Sequence, residues 1–556
     1  MRQLLNARPG EAVRLPLLGG KMTGGEAEEE TETGEYCQVR EVTMQPAVGP
    51  DTLLARYLLF RPYAFSLNIH PPTPEPSRYC FRMLNCEAKL VRWTLLDNGL
   101  SEVRSGDQWT VMWASGSLRS SVFQTLGKFQ KVNHFPRSIE ISRKDCLYKN
   151  LARMQALHSS KNYSFFPQTF ILPQEASELV HEMESDPSAI WILKPSGSSQ
   201  GKGIFLTQDP GDIPFGHSMV ACRYIDNPYL INGYKFDLRV YVAVTSYNPL
   251  RVYVYREGLA RFATVPYRTT DLSNRFMHLT NYSVNKHNPA FKASAQGDSG
   301  SKWSLSALSA YFHSLNIEFS PIWHRIKEIV VKTIISIEST VSAGVEMYVS
   351  SSNSCFELLG FDILLDDLLT PWLLEVNLSP SLNCDTALDL KIKSQLIADL
   401  FNLVGVIGNR EAGPRAKTKS ESRRPWDHST HASSSEWLGD DGYSRQERAI
   451  LRAAEEEMKR VNGFDRVFPG DGLTYRSLFD QERPLNTLLQ NHSLGIRRGA
   501  TRSAAWTDNN QGLLPRPKKQ KARKIIKSTP ETYVEMALLK LRRELGRPQP
   551  KETVLR

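Results

Sequence analysis

The chain has 556 residues, of which 40% are hydrophobic, so it can bury a large core and is too long for one ordinary domain. Lysine and arginine outnumber aspartate and glutamate by 69 to 59, a balance that favours acidic partners such as nucleic acid, an anionic membrane or an acidic protein tail. Seven scattered cysteines without a Cys-x-x-Cys pair argue against a disulfide framework or a zinc site, and the lack of a sustained apolar run argues against a membrane segment.

Residues 1–77 combine glycine and proline with a glutamate-rich run at 26–35, a composition that buries too little apolar surface to offset chain entropy. We therefore expect this segment to be mostly disordered. From residue 78 to about 406, strand and helix patterns follow each other without long low-complexity gaps, which predicts one compact body. A polar linker (407–445), a helical and aromatic-basic stretch (446–495) and a basic tail (496–556) are expected after it.

Strands are predicted where β-branched and aromatic residues lie between turn formers. They cover residues 189–194, 203–207, 238–245, 251–256, 355–365 and 371–376, in mixed and mainly antiparallel sheets. Apolar residues recur at helical spacing between 326 and 341, which predicts a helix packed on a sheet. A second amphipathic helix is predicted at 450–461, and six of the ten residues 515–524 are basic, as in a solvated tail or a binding segment.

The first candidate site is the segment 191–203, in which an apolar strand ends at Lys194 and a Gly/Ser loop with Lys202 follows. Glycines in such a turn let backbone amides approach phosphate oxygens, and the two lysines supply compensating charge. The segment is not a Walker loop, because it lacks a following helix and a Gly-Lys-Ser/Thr ending. A purely structural Gly/Ser hairpin is the alternative.

The second candidate is a strand in which Lys235, Asp237 and Arg239 alternate with apolar residues. A period of two places the three charged side chains on one face and the apolar side chains on the other. Such a face suggests a binding site for a polyanion. A solvated outer face with an ion pair is the alternative.

The third candidate combines Asp362, within an apolar strand, with Glu375 and Asn377, which share a face of the next strand. Buried carboxylates require a compensating charge, and oxygen ligands at this spacing suit Mg²⁺ held partly by substrate phosphates. We interpret the hairpin as a metal clamp. A pair of structural hydrogen-bonding carboxylates is the alternative.

The chain resembles the tubulin-tyrosine-ligase-like family in four ordered motifs, namely Trp191-Ile-Leu-Lys-Pro, Lys235-Phe-Asp-Leu-Arg, His278-Leu-Thr-Asn-Tyr-Ser and Leu373-Leu-Glu-Val-Asn-Leu-Ser-Pro-Ser. The resemblance extends from about residue 133 to residue 406. It implies an α/β (α+β) ATP-grasp fold, in which ATP lies between two lobes behind a small N-terminal domain. Residues 78–143 would form that domain, 144–232 the central lobe and 233–406 the C-terminal lobe.

The resemblance also implies an ATP site formed by Lys194, Gln200, Gly201, Cys222, Arg223, Tyr224, Ile225, Lys235, Phe236, Asp237, Thr280 and Asn281. It places Mg²⁺ on Asp362, Glu375 and Asn377. In the implied reaction a substrate carboxylate attacks the γ-phosphate of ATP, and an amino group then displaces the acyl phosphate. Positioning and charge neutralisation dominate such a step, so Arg239, Lys194 and Glu375 are the implied catalytic residues.

The positions that hold the free amino acid in the family correspond to Arg261, Tyr282, Ser283, Lys302 and Lys391. Arg261 together with Lys302 suits a donor with two carboxylates, which favours glutamate. Leu378 stands where chain-lengthening members have histidine, so the resemblance favours members that start a branch. A tubulin glycylase of the same fold and a non-catalytic microtubule-binding protein are the alternatives.

The expected partners are L-glutamate and microtubules, the latter bound through the acidic tails of tubulin by a monomeric protein. Residues 446–495 resemble a cationic extension that docks family members on microtubules, an interaction that salt would weaken. The expected location is the cytoplasm and cytoskeleton, at microtubules, cilia or centrosomes. The basic run 515–524 is alternatively a nuclear-import signal, which would add a nuclear pool. Neither a membrane nor nucleic acid is an expected partner.

Overall fold

The computed structural model describes residues 40–44, 55–63, 77, 79–292, 299–351, 353–408, 442–470 and 475–496. Most of the N-terminal segment, most of the linker and the whole basic run 515–524 lie outside the described residues, so the predictions made for them stay predictions. Within the described ranges, no helix combines the length and the apolar character needed to span a membrane.

The described residues form strands and helices of the following bounds, in chain order. The strands are β1 (Arg40–Met44), β2 (Ala55–Leu59), β3 (Cys80–Leu84), β4 (Ser101–Glu102), β5 (Val111–Ala114), β6 (Lys131–Val132), β7 (Thr169–Leu172), β8 (Trp191–Pro195), β9 (Phe205–Thr207), β10 (Met219–Arg223), β11 (Leu230–Ile231), β12 (Tyr234–Tyr247), β13 (Leu250–Phe262), β14 (Lys302–Ser304), β15 (Glu357–Leu365), β16 (Pro371–Asn377) and β17 (Phe464–Phe468). The helices are α1 (Lys89–Asp97), α2 (Ser120–Gln124), α3 (Ile139–Ser142), α4 (Lys144–His158), α5 (Ala176–Ser185), α6 (Arg275–His278), α7 (Tyr282–Asn285), α8 (Leu305–Ser314), α9 (Phe319–Tyr348), α10 (Ala387–Val404), α11 (Arg445–Met458) and α12 (Pro484–Ser493).

The sheets are mixed in type and mainly antiparallel, as predicted. A small parallel sheet has the strand order β4-β3-β5-β6. An antiparallel sheet follows with the order β7-β10-β8-β9, and the large antiparallel sheet has the order β14-β13-β12-β15-β16, with β11 paired to β12 and β17 to β13. The six predicted strands correspond to β8, β9, β12, β13, β15 and β16. These sheets and their flanking helices form the α/β architecture expected of an ATP-grasp fold.

The long strand β12 lies at the centre of the large sheet, between β13 and β15. Alternate residues, Val240 and Val242 among them, pack in the core cluster that contains the buried residues of α9, while Tyr241 and Ala243 pack in the cluster that contains those of α10. The predicted helix 326–341 is confirmed as part of α9. Because helices cover both faces, every residue of β12 after Tyr234 is buried, and a solvated outer face is excluded.

Residues 442–470 and 475–496 fold onto the same body. Strand β17 extends the large sheet by pairing with β13, and Phe464 and Phe468 at its ends are fully buried. In α11 the carboxylate of Glu457 accepts hydrogen bonds from Thr245 and Tyr253, both at 2.6 Å. The stretch that the sequence indicated as an aromatic-basic extension is therefore, in part, an edge strand of the large sheet.

Two short strands lie within the N-terminal segment that was expected to be mostly disordered. Strand β1 pairs with β2, and the amide of Leu58 donates to the carbonyl oxygen of Val406 at 2.9 Å. The side-chain amide of Asn402 in α10 accepts from the backbone nitrogen of Phe60 at 2.8 Å and donates to its carbonyl oxygen at 2.9 Å. Residues 55–63 therefore contact the body, and residues 40–44 pair with them as a neighbouring strand.

Candidate functional site

A cleft opens between the sheet that contains β8 and β10 and the large sheet, and it encloses about 810 Å³ when its open, solvent-facing part is included. The predicted residues that line it are Lys194, Gln200, Gly201, Cys222, Arg223, Tyr224, Ile225, Lys235, Asp237, Thr280, Asn281, Asp362 and Glu375. Three sequence segments that were singled out separately therefore meet around one cavity.

The Gly/Ser loop after β8 is held over the cleft. Its backbone is left-handed at Gln200 and Gly201, with φ of 63° and 72°. A Cβ atom at Gly201 would lie 2.9 Å from the Val284 side chain, so both conformation and space favour glycine there. Ser283 Oγ donates to the carbonyl oxygen of Gln200 at 3.0 Å, and Arg275 donates to that of Gly201. Ser283, predicted to bind the amino acid, thus helps to position the loop.

Lys144 also lines the cleft and was missed by the sequence reasoning. Its Nζ lies 3.1 Å from Glu375 Oε2 and donates to the carbonyl oxygen of Ser198 in the Gly/Ser loop at 3.0 Å. Lys144 is the first residue of α4, where a cation opposes the helix dipole. That unfavourable placement is the signal by which it could have been found.

The charged face of β12 joins β15 in a buried ion-pair network. Asp362 accepts hydrogen bonds from Arg239 Nε at 2.6 Å and Nη2 at 3.1 Å, and Arg261 Nη2 lies 2.9 Å from Asp362 Oδ2. Arg261 Nε also donates to Asp237 Oδ1 at 2.7 Å. Burial alone would raise the pKa of Asp362, but the two guanidinium groups outweigh burial and hold that pKa well below its ordinary value.

This network changes the expectation for Arg261, which was predicted to bind the free amino acid. Its guanidinium group is buried between two carboxylates and neutralises both. Arg239, expected to be catalytic, likewise pairs with Asp362 beside the cleft and is not among the residues that line it. As placed here, both arginines fix the position of Asp362.

The three predicted metal ligands lie together. Asn377 Nδ2 donates to Asp362 Oδ2 and to Glu375 Oε1, each at 3.3 Å, and the register pairs Asp362 with Glu375 across β15 and β16. No third Asp, Glu, His or Cys joins this group within the described residues. Rotating the side-chain amide of Asn377 by half a turn would direct its oxygen, instead of its nitrogen, towards the two carboxylates. Two carboxylates and one amide oxygen fit Mg²⁺ that takes its remaining ligands from phosphates and water.

Lys235 and Tyr224 meet at the inner end of the cleft. Lys235 Nζ donates to Tyr224 Oη at 2.8 Å and lies 4.3 Å from the centre of the tyrosine ring. Burial lowers the pKa of Lys235 to about 7, although Asp237 opposes this effect. The ammonium of Lys235 is therefore poorly solvated and is suited to an anionic or hydrogen-bond-accepting ligand.

The assignment of Phe236 to the nucleotide pocket needs correction. Its ring lies in the core, with its centre 5.3 Å from that of Phe262 and 6.5 Å from that of Tyr229. Successive residues of a strand point to opposite faces, so the lysine before it and the aspartate after it face the cleft while the phenylalanine does not. Only the backbone of Phe236 is left for contact with a ligand in the cleft.

A second cationic cluster lies outside the residues that line the cleft. Lys302 Nζ is 3.7 Å from the centre of the Tyr282 ring and donates to Asp389 Oδ2 at 2.7 Å. Asp389 also pairs with Lys393 at 2.8 Å. Burial lowers the pKa of Lys302, with Asp389 opposing the effect. The predicted Lys391 is exposed on α10, and Lys393 is the lysine of that helix that joins this cluster.

Known proteins match the part of the chain that builds this cleft. The model of the tubulin-tyrosine ligase family matches residues 123–413. The chain is 40% identical over 445 residues to tubulin polyglutamylase TTLL5 of Homo sapiens, which covers 74% of this chain and 35% of that protein. It is 39% identical over 446 residues to tubulin monoglutamylase TTLL4 of Homo sapiens, with 73% and 37% covered.

A further relative is tubulin polyglutamylase TTLL6 of Mus musculus, 38% identical over 423 residues, with 75% of this chain and 50% of that protein covered. The chain thus spans about a third to a half of the length of these relatives. The family match covers β8, β10, β12, β15 and β16, the strands that bring the lysines and carboxylates together around the cleft. On its fold, its cleft and these matches, the chain belongs to the tubulin-tyrosine ligase family.

Proposed function

We propose that this chain is an ATP-dependent ligase that attaches L-glutamate to glutamate side chains in the acidic tails of tubulin. The observation that carries the proposal is the convergence of Lys194 and Lys235 with the Asp362, Glu375 and Asn377 group on one cleft. Cations and oxygen ligands gathered around one cleft are what a magnesium-nucleotide complex requires. The names of the relatives, tubulin polyglutamylases and a monoglutamylase, support tubulin as the substrate.

Different residues of the cleft would bind the phosphates of ATP, hold the metal ion and position the metal ligands. Lys194 and the backbone amides of the Gly/Ser loop neutralise phosphate oxygens, and Lys144 holds that loop beside Glu375. Asp362, Glu375 and Asn377 would hold Mg²⁺, which supplies charge neutralisation at the transferring phosphoryl group. Arg239 and Arg261 keep Asp362 ionised and fixed in orientation.

The proposed chemistry has two steps. In the first, a side-chain carboxylate oxygen of tubulin bonds to the γ-phosphorus of ATP, the bond from that phosphorus to the bridging oxygen breaks, and ADP leaves. In the second, the amino group of free glutamate attacks the acyl carbon, phosphate leaves, and the amine loses a proton. Because neither step needs a protein nucleophile, positioning and charge carry the rate.

Glutamate is the proposed donor because Lys302 and Lys393 are buried together and form ion pairs with the same carboxylate, that of Asp389, while Asp385 also acts on the charge of Lys302. The distal carboxylate of a bound glutamate would bring a further negative charge to these lysines. We also propose that the protein starts branches, acts as a monomer, and works in the cytoplasm on microtubules of the cytoskeleton, cilia or centrosomes.

The test incubates the purified chain with ATP, Mg²⁺, microtubules and either labelled glutamate or labelled glycine. The proposal expects incorporation of glutamate, which Glu375→Gln and chelation of Mg²⁺ abolish. The matched control is Asp367→Asn, in the exposed turn between β15 and β16, where the carboxylate pairs only with the side chain of Asn227 at 2.7 Å. Incorporation of glycine alone would overturn the choice of donor, and undiminished activity of Glu375→Gln would overturn the clamp.

A non-catalytic microtubule-binding protein makes a different prediction. It would sediment with microtubules but incorporate neither amino acid, and its binding would be the same with and without ATP. Mass spectrometry of the tubulin tail peptides separates these outcomes, because it reports the donor, the acceptor residue and the length of the added chain. Single added glutamates would support initiation, and long chains on pre-glutamylated tails would contradict it.

A further inference from the structure

A buried histidine, His278, lies at the end of α6 and is linked to Lys235 through the hydroxyl of Tyr224. His278 is 2% exposed, and its Nε2 lies 2.7 Å from the carbonyl oxygen of Asp271. A carbonyl oxygen only accepts hydrogen bonds, so Nε2 carries the hydrogen and the neutral ring presents Nδ1 as an acceptor. Burial lowers the pKa of His278, which favours this neutral form. The backbone of Asp271 therefore selects the tautomer.

The selected tautomer orients the next group. Tyr224 Oη lies 2.9 Å from His278 Nδ1, so the tyrosine hydroxyl donates to the imidazole. A hydroxyl oxygen that donates its one hydrogen keeps its lone pairs as acceptors, and Lys235 Nζ lies 2.8 Å from that oxygen. The hydrogen bonds thus run in one direction, from Lys235 through Tyr224 and His278 to the carbonyl oxygen of Asp271.

Lys235 depends on this support because it is 5% exposed and has few other acceptors. The rings of Tyr224 and Tyr267 have their centres 4.3 Å and 5.7 Å from its Nζ. Hydrogen-bond chains of this kind hold each member in one orientation. One N–H of the ammonium is taken by Tyr224, and the others are left for a ligand in the cleft.

We propose that His278 is a positioning residue for nucleotide binding, which fixes the hydroxyl of Tyr224 as an acceptor and so holds the ammonium of Lys235 in the cleft. The inference rests on the proposed function, since it takes the ligand of the cleft to be ATP. His278 acts through Lys235 and forms no part of the phosphoryl-transfer chemistry. A merely structural histidine would instead anchor α6 to Asp271 without regard to Lys235.

The test is a double-mutant cycle on ATP affinity, measured by calorimetry with ATP and Mg²⁺ on the full chain. His278→Leu and Tyr224→Phe are each expected to weaken ATP binding about tenfold, the size of one hydrogen bond to a charged group. In the Lys235→Met background, neither substitution should weaken binding further, because the group they position is absent. Thermal unfolding of each variant checks that it is folded.

The outcomes separate the two levels of the proposal. If the unsubstituted chain binds no ATP, the proposed function fails and this inference fails with it. If it binds ATP, and His278→Leu weakens binding equally with and without Lys235, the histidine is structural and only the inference is overturned. If His278→Leu does not fold, the same cycle with His278→Phe decides, since phenylalanine keeps a planar ring and removes both ring nitrogens.

Discussion

Asp362→Asn removes a single charge from the buried network between β12 and β15. The carboxylate receives three charge-assisted contacts, from Arg239 at 2.6 and 3.1 Å and from Arg261 at 2.9 Å. Asparagine keeps one accepting oxygen, so one or two of these contacts are lost, depending on which oxygen is replaced, at about 1.5–3 kcal/mol each. Removing one partner of a buried ion pair costs about 3–5 kcal/mol by independent measurements. We therefore expect the free energy of unfolding to fall by about 3–5 kcal/mol.

Urea denaturation, followed by tryptophan fluorescence and extrapolated to zero denaturant, measures this change. The control Asp367→Asn, on the same hairpin but exposed, should stay within about 0.5 kcal/mol of the parent protein. A loss for Asp362→Asn below about 1 kcal/mol, or equal to that of the control, would refute the reasoning.

The loss of stability caused by Asp362→Asn should also depend on pH, which provides a second test. The pKa of Asp362 is lowered in the folded state, so its contribution to stability is present above the pKa of an unfolded aspartate, about 3.9. That contribution is lost as the pH falls further, towards the folded-state pKa. The stability difference between the parent protein and Asp362→Asn should therefore be constant near neutrality and shrink below about pH 4.

Three further predictions follow from other parts of the structure. Gly201→Ala should weaken ATP binding at least about tenfold in calorimetry, because φ of 72° and the contact with α7 both oppose a Cβ atom, whereas Gly197→Ala, with open space around the added carbon, should not. Glu457→Gln should lower the free energy of unfolding by about 3 kcal/mol in urea, since Arg251 then loses its buried counter-charge at 3.5 Å, and a change below about 1 kcal/mol would contradict this. Because the pKa of Lys235 is about 7 and ATP favours its charged form, ATP affinity should fall as the pH rises above about 7, and a variant Lys235→Met that shows the same slope would contradict this cause.

The parts of the fold and site that were predictable depend on local signals. The alternation of charged and apolar residues along β12 predicted its charged face. The two-residue spacing of Glu375 and Asn377 predicted that two of the three proposed metal ligands share a face of β16. The pairing of β15 with β16 follows from their closeness in sequence, which brings Asp362 to Glu375. Local pattern and short loops are enough for such features.

The features that were missed depend on contacts between distant segments. No local sequence pattern predicts the ion pair between Lys144 and Glu375. Nor does one predict the hydrogen bond from His278 to the carbonyl oxygen of Asp271, which sets the tautomer of the ring. The ion pairs of Arg261 were likewise not predicted, since its two carboxylate partners come from neighbouring strands of the sheet. Tertiary contacts of this kind decide whether a charged side chain is free for a ligand.

Strand β17 determines what we expect of fragments of the chain that end before it. The family match ends at residue 413, yet the sheet receives its last strand from Phe464–Phe468. A polypeptide that stops in the linker, after a premature stop codon or a proteolytic cut, would leave the edge of β13 unpaired and Tyr253 without Glu457. Bare strand edges recruit other chains, so such fragments should aggregate rather than act as minimal enzymes.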